Sequence, residues 1–222
     1  MISSLERLSV NVDDTRQPLF TLADLYSEQR LFQVLQTVRD ETDAPTNAVA
    51  ASVFFRRLGF FFAAQFQTIS VHNQMFAGSL SSIGVIREDQ TYKFIVPFDD
   101  FVEVNNREQA IRFVLDTYGH PLVESVSKQA KISKLILWEN IWGYVIWVYN
   151  QLILEGVASA EKDLDFMLLD NTWTPQMRRS PFKQFLQNQS ALDAMKDYKR
   201  VTCCLLKEMP DTNKCPYCPH AN

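Results

Sequence analysis

Apolar residues recur every three or four positions through most of the chain, which is the spacing of one face of an α-helix. The clearest stretch places Phe55, Leu58, Phe62, Phe66 and Ile69 on one face. Such patterns, with capping residues at their starts and proline or glycine at their ends, predict helices over residues 22–40, 47–70, 106–119, 121–130, 134–155, 160–169, 181–187 and 190–198. The first eighteen residues are polar and predicted to be irregular.

The period of the pattern changes from near four to two between residues 83 and 98. Two apolar runs, 83–86 and 92–96, flank the polar sequence Glu88-Asp89-Gln90, which is typical of a β-hairpin. We therefore predict a mainly α fold of the α+β type. Its parts are a mostly helical body over residues 1–200, with the small hairpin, and a C-terminal cysteine segment over 201–222.

The most apolar window, residues 135–154, is close in length to a membrane span. It contains Glu139, Asn140, Asn150 and Gln151, each of which is costly in lipid. A buried helix of a soluble protein is the better interpretation, so we do not expect an integral membrane protein.

The composition and the first residues of the chain indicate which partners and which cellular compartment to expect. Of the 222 residues, 46% are hydrophobic, which is enough for a well-buried core, and the net charge of −4 comes without any lysine or arginine run. Nucleic acid is therefore not an expected partner. The start of the chain lacks the charged and apolar regions of a signal peptide, so we expect a cytoplasmic protein with reduced thiols.

All four cysteines lie near the C-terminus, as Cys203-Cys204 and Cys215-Pro216-Tyr217-Cys218. Clustered thiolates repel one another unless a cation or a disulfide neutralises them. In a reducing compartment this predicts a metal site, with Cys203, Cys204, Cys215 and Cys218 as the ligands. From the residues alone, a structural zinc clip is the first candidate and an iron–sulfur cluster the second.

The cysteine pattern, a vicinal pair followed by ten residues and Cys-x-x-Cys, resembles that of the FhuF-like ferric-siderophore reductases. Arg200, Thr202 and Pro210-Asp211 occupy positions similar to those of the family. Two other stretches are also similar, Leu137-Trp138-Glu139-Asn140 and Ser180-Pro181-Phe182. The resemblance covers the C-terminal half of the chain.

The resemblance implies that the four thiolates hold a [2Fe-2S] cluster. It also implies an oxidoreductase that reduces ferric iron in siderophores of the hydroxamate or citrate type and releases ferrous iron in the cytoplasm. The six scattered glycines form no Gly-x-Gly-x-x-Gly motif and no P-loop, so electrons are expected from a separate ferredoxin or flavoprotein. The alternative is a non-catalytic helical module, binding a siderophore or a protein, with a structural zinc clip.

A bulky, often anionic ferric complex calls for cations and flat apolar side chains. Arg178, Arg179 and Lys183 form the densest basic patch, and Arg200 precedes the vicinal cysteines. Trp138 and Trp142 are four residues apart on one predicted helix face. We predict these six residues as candidates for substrate binding, although core packing is the simpler interpretation of the two tryptophans.

Overall fold

The computed structural model describes residues 1–13, 15–210, 212–213 and 215–220. About 59% of the protein is helical, with a small sheet, so the predicted mainly α fold is confirmed. The α-helices are α1 (Ile2–Arg7), α2 (Glu28–Thr42), α3 (Asn47–His72), α4 (Arg107–Val114), α5 (His120–Ala130), α6 (Lys134–Leu154), α7 (Ala160–Leu168), α8 (Pro181–Phe185) and α9 (Ala191–Lys196). The strands are β1 (Val10–Val12), β2 (Phe20–Thr21), β3 (Gln74–Phe76), β4 (Gly84–Glu88), β5 (Thr91–Val96) and β6 (Phe101–Glu103).

The two longest helices, α3 and α6, pack against each other at the centre of the protein. Both carry buried residues on most of their circumference, so each is surrounded by other elements. They approach closely at Gly59, where a Cβ atom would lie 2.6 Å from Tyr144 Cδ2 and 2.9 Å from the Asn140 carbonyl oxygen. Only glycine fits at this contact.

Among the described residues, α3 is the one helix long and apolar enough to cross a membrane by length and composition. In the fold, 78% of its most apolar window is buried by other parts of the protein. The same burial is typical of a core helix. The apolar helix α6 is likewise buried on most of its length.

The predicted hairpin is confirmed as β4 and β5, which pair antiparallel from Gly84 with Ile95 to Glu88 with Thr91. Its turn is formed by Asp89 and Gln90, both in the left-handed region with φ of 49° and 60°, as two-residue hairpin turns require. The sheet order is β1-β5-β4-β2, with β1 parallel to β5. A separate two-stranded sheet pairs β3 with β6.

The prediction that the first eighteen residues are irregular was wrong. This stretch contains α1 and β1, and it buries Leu5, Leu8 and Val10 in the core. Strand β1 obtains its hydrogen bonds from β5, more than eighty residues away. A three-residue strand has too little pattern of its own to reveal that pairing.

Two predicted helix boundaries were also wrong. The Thr21–Asp24 capping box exists, but it starts a 3₁₀ turn over Leu22–Leu25, and α2 begins only at Glu28 with Ser27 as its cap. Gly119 does not end a helix, because residues Leu115–Gly119 form a π-helical turn that joins α4 to α5. Glycine is needed there for space, since its Cβ would lie 2.6 Å from Trp138 Cη2. The other predicted helices agree with the observed ones to within two residues at either end.

Candidate metal centre and the adjoining cavity

Three of the four cysteines lie together against the helical body. Cys204, Cys215 and Cys218 are each at most 6% exposed and form a small cluster with Leu206, whereas Cys203 is only half-buried. The Sγ atoms of Cys204 and Cys215 are 3.5 Å apart, and all four thiols are free. Two thiolates on one tetrahedral metal, with metal–sulfur bonds of about 2.3 Å, are expected about 3.8 Å apart. Cys204 and Cys215 therefore fit a chelating pair.

The remaining sulfurs do not complete that site in the described residues. Within 1–13, 15–210, 212–213 and 215–220, no group of three or more histidine, cysteine, aspartate or glutamate side chains is arranged to hold a metal ion. The donor chemistry fits a thiolate-ligated centre, but the geometry supplies one ligand pair. The Cys204 to Cys215 spacing suits zinc as well as iron.

The surroundings of the sulfurs disfavour an uncompensated thiolate. Burial raises the pKa of Cys215 to about 11, and the adjacent Cys204 thiol adds to that rise. A bound metal ion would reverse this preference, because it deprotonates a coordinating thiol. The backbone N–H of His220 donates to Cys218 Sγ at 3.4 Å, and hydrogen bonds of this kind adjust the potential of sulfur-ligated centres.

A buried carboxylate in α6 holds the chain that leads into Cys203. Glu139 is fully buried, and its carboxylate accepts hydrogen bonds from the backbone N–H groups of Val201 and Thr202, the latter at 2.7 Å, and from the Thr202 hydroxyl. Arg200 Nη2 lies 3.5 Å from Glu139 Oε2, an ion pair without a direct hydrogen bond at that nitrogen. A buried charge persists only with such partners. Glu139 is thus an anchor for residues 200–202.

A second set of hydrogen bonds holds Cys204. The Ser52 hydroxyl on α3 donates to the Cys204 carbonyl oxygen at 2.7 Å, and the Asn140 amide on α6 donates to the Ser52 oxygen atoms at 2.9 and 3.0 Å. The backbone N–H of Arg200 donates to the Tyr217 carbonyl oxygen at 2.9 Å. This hydrogen bond joins the two cysteine stretches. The vicinal pair is therefore held by the two central helices.

A cavity of about 330 Å³, here called the cysteine cavity, opens beside the sulfur atoms. Cys204 and Cys215 form part of its lining, and five aromatic residues surround it: Phe60, Tyr144, Trp147, Tyr198 and Tyr217. The remaining lining residues are Arg56, Asn140, Gly143, Met195 and Arg200. The described lining thus contains two guanidinium groups and no carboxylate.

Three residues of this lining carry buried polar atoms without a hydrogen-bond partner among the described residues. They are Arg200 Nη2, Asn140 Oδ1 and the Tyr198 hydroxyl. Arg200 and Asn140 are 8% and 1% exposed. Burial, with a smaller contribution from the Glu139 carboxylate, raises the pKa of Tyr198, so its hydroxyl stays neutral. Buried polar groups are normally paired, and these three are available to a ligand.

The structure places the predicted substrate-binding tryptophans in the core. Trp138 and Trp142 are 1% and 0% exposed and do not line the cysteine cavity. Their rings pack on Phe182 of α8, with centroid distances of 6.0 and 4.7 Å. The two stretches of sequence that resemble the reductase family, 137–140 and 180–182, therefore meet in one aromatic cluster.

The other predicted cations are divided between two places. Arg200 lies beside Cys204 and Cys215, whereas Arg178, Arg179 and Lys183 are exposed. Arg179 and Lys183 line a second cavity of about 480 Å³, here called the basic cavity, together with Asp170, Ser180, Gln184, Gln187 and Asn188. A role for these three exposed cations in substrate binding stays a prediction.

Sequence reasoning missed most of the cysteine cavity. Tyr144 and Trp147 are three residues apart on α6, and Arg56 lies on α3, but nothing local indicates that their faces meet the cysteine segment. Glu139 carried a usable signal, because an acidic residue inside a strongly apolar helix needs a specific partner. Of the pair Pro210-Asp211, Asp211 lies outside the described residues.

No protein-family model and no curated protein matches this chain. The resemblance to ferric-siderophore reductases therefore depends on the cysteine spacing, its neighbouring residues and the stretches 137–140 and 180–182. The function has to be argued from that pattern and from the geometry of the site.

Proposed function

We propose that this protein is a cytoplasmic ferric-siderophore reductase, which transfers one electron to the ferric iron of a siderophore complex and thereby releases ferrous iron. One observation carries the proposal. The buried cysteine pair is itself part of the wall of a cavity lined by aromatic rings and two arginines. A substrate in that cavity would lie beside the sulfur atoms.

The residues that would hold the redox centre are Cys203, Cys204, Cys215 and Cys218. When bound, a [2Fe-2S] cluster supplies or accepts one electron at a time. Arg200 places a buried positive charge next to this segment, which favours the more negative, reduced state. The N–H of His220 acts in the same direction through its hydrogen bond to Cys218 Sγ.

The chemistry of iron explains why one electron is enough. Ferric iron is hard and highly charged, and siderophore oxygen atoms hold it tightly, whereas ferrous iron binds the same ligands far more weakly. Reduction therefore releases the metal without an acid–base residue or a nucleophile. The electron must be restored by a separate donor, for which we propose a ferredoxin or a flavoprotein.

The side chains of the cavity would bind and orient the complex. Arg56 and Arg200 attract an anionic ligand, and the aromatic walls exclude water from the contact. Trp147 and Tyr217 are 40% and 51% exposed, so they offer flat apolar surfaces to a complex that arrives from solvent.

The absorption spectrum tests the proposal. We expect protein purified without oxygen to be red-brown, with visible bands that bleach on reduction with dithionite, because Fe–S charge-transfer bands depend on the oxidation state. Prereduced protein mixed with a ferric siderophore should then release ferrous iron to a chelator, with one ferrous ion per cluster reoxidised. Zinc-loaded, colourless protein that also fails to take up a cluster on reconstitution would reject the proposal in favour of a zinc clip.

A further inference from the structure

We infer that the cysteine cavity binds one aromatic, catecholate-type arm of a ligand: a planar ring that carries an anionic oxygen group beside a hydrogen-bond donor. The inference rests on the proposed function, because it names the part of the substrate that would enter the site. It differs from the hydroxamate or citrate type that the sequence resemblance implies. The size, the walls and the polar atoms of the cavity each support it.

The size of the cavity suits a single arm. Its volume of about 330 Å³ is at the lower end of the range of about 300–1,000 Å³ for small-molecule pockets. A whole ferric complex with several chelating arms is too large to be enclosed. One ring could enter while the rest of the complex stays at the exposed mouth, next to Trp147 and Tyr217.

The walls of the cavity favour an aromatic ligand over an aliphatic one. Phe60 and Tyr144 lie close together, with ring centroids 4.1 Å apart, and Tyr198 and Tyr217 form an edge contact at 5.4 Å. Trp147 adds a further indole. Aromatic rings pair with one another through offset or edge contacts that add to simple burial. An aliphatic hydroxamate or citrate gains less from such walls.

The polar atoms require a ligand with both an anion and a donor. Arg56 forms no ion pair with any described residue, so its guanidinium is available to an anionic oxygen. Arg200 Nη2 is ion-paired with Glu139 at 3.5 Å but has no hydrogen-bond partner among the described residues, so it offers a second donor. Asn140 Oδ1 can only accept. It is complemented by a phenolic hydroxyl of a free dihydroxybenzoate, or by the amide N–H of a conjugated arm. A deprotonated hydroxamate whose nitrogen is alkylated offers acceptors alone.

Binding of iron-free 2,3-dihydroxybenzoate to the full chain, measured by isothermal titration calorimetry, tests the inference. We expect saturable binding at one site, and at least fivefold weaker binding of cyclohexanecarboxylate and acetohydroxamate, neither of which has an aromatic ring. Arg56→Gln should weaken the binding of dihydroxybenzoate about tenfold, because it removes a hydrogen bond to a charged group. Arg7→Gln, at an exposed position on α1 outside both cavities, is the matched control and should leave the affinity unchanged.

Three results would overturn the inference. They are equal affinity for dihydroxybenzoate and cyclohexanecarboxylate, loss of binding in Arg7→Gln with retention in Arg56→Gln, and absence of binding at millimolar ligand. Because the probe carries no iron, these outcomes are separate from the test of reduction. Protein that reduces ferric hydroxamates but does not bind dihydroxybenzoate would support the proposed function and reject this inference. Colourless protein that binds dihydroxybenzoate would support this inference and reject the proposed function.

Discussion

The cysteine cavity and the basic cavity differ in what forms their walls. The first is enclosed by the central helices α3 and α6 together with the cysteine segment, and aromatic rings dominate its lining. The second is formed by α8 and its neighbouring loops, and its lining is polar and mostly exposed. A dense patch of charges in the sequence thus marks a solvated surface. The site that offers binding chemistry lies where polar residues interrupt two apolar helices.

Arg200 and Arg179 show the difference at the level of one residue. The Arg200 side chain is 7% exposed and lies 3.5 Å from the fully buried Glu139. Arg179 is exposed. Burying a charge is costly unless it is paired, so Glu139 stabilises Arg200 in its buried position. Little water is present there to screen the charge of Arg200. Arg179 is surrounded by water, which screens its charge.

The largest effect should come from the metal ligands. Cys218→Ser is expected to abolish the visible absorption of the purified protein, because it removes a thiolate that the redox centre needs. Circular dichroism should stay at the wild-type helical signal, since the core of α3 and α6 does not depend on this residue. Lys183→Gln in the basic cavity is the control and should keep the colour. Global unfolding of Cys218→Ser, or loss of colour in Lys183→Gln, would remove the distinction between the two regions.

A smaller effect is expected from the anchor in α6. Glu139→Ala leaves Arg200 buried beside no carboxylate and removes the acceptor for two backbone N–H groups. Breaking a buried pair from one side costs about 3–5 kcal/mol, so we expect the free energy of unfolding in urea to fall by about 3 kcal/mol.

The matched variant in the basic cavity is Asp170→Ala. The exposed Asp170 accepts one hydrogen bond from the Ser180 N–H at 2.9 Å, and losing it should cost about 1 kcal/mol or less. Equal losses in Glu139→Ala and Asp170→Ala would show that the cysteine segment is not held by the buried carboxylate.

The smallest effect on stability is expected from two glycines of the central helix pair, Gly59 on α3 and Gly143 on α6. In Gly59→Ala the new methyl group would lie 2.6 Å from Tyr144 Cδ2 and 2.9 Å from the Asn140 carbonyl oxygen, and such overpacking costs about 2 kcal/mol. In Gly143→Ala the methyl group enters the cysteine cavity, and among the described residues only the Tyr198 hydroxyl lies within 4 Å of it, at 3.8 Å. Its stability should be unchanged or slightly higher, because alanine favours a helix over glycine by about 0.5–1 kcal/mol.

Gly143→Ala should instead reduce ligand binding, because it takes space from the cavity. Thermal unfolding of both variants and calorimetric titration of Gly143→Ala with dihydroxybenzoate are the measurements. Unchanged stability in Gly59→Ala would mean that α3 and α6 can separate locally. Unchanged binding in Gly143→Ala would place the ligand elsewhere.

Local patterns in the sequence determined much of this fold. Six predicted helices and the hairpin agree with the structure to within two residues, because amphipathic spacing, caps and turn residues act over a few positions. The cysteine pattern also identifies the candidate metal ligands, because their chemistry does not depend on knowing the fold. The N-terminal β1 was missed because its partner strand is distant in sequence.

Tertiary structure alone decided the site around those cysteines. Ser52 and Cys204 are 152 residues apart, and Glu139 lies 62 residues before Val201, so no local pattern could reveal that these groups meet. Likewise, Trp138 and Tyr144 lie on the same helix, but packing buries Trp138 in the core, whereas Tyr144 lines the cysteine cavity. The reason is that helical periodicity predicts which residues share a face, whereas only the packing of α3, α6 and the cysteine segment determines what each face contacts.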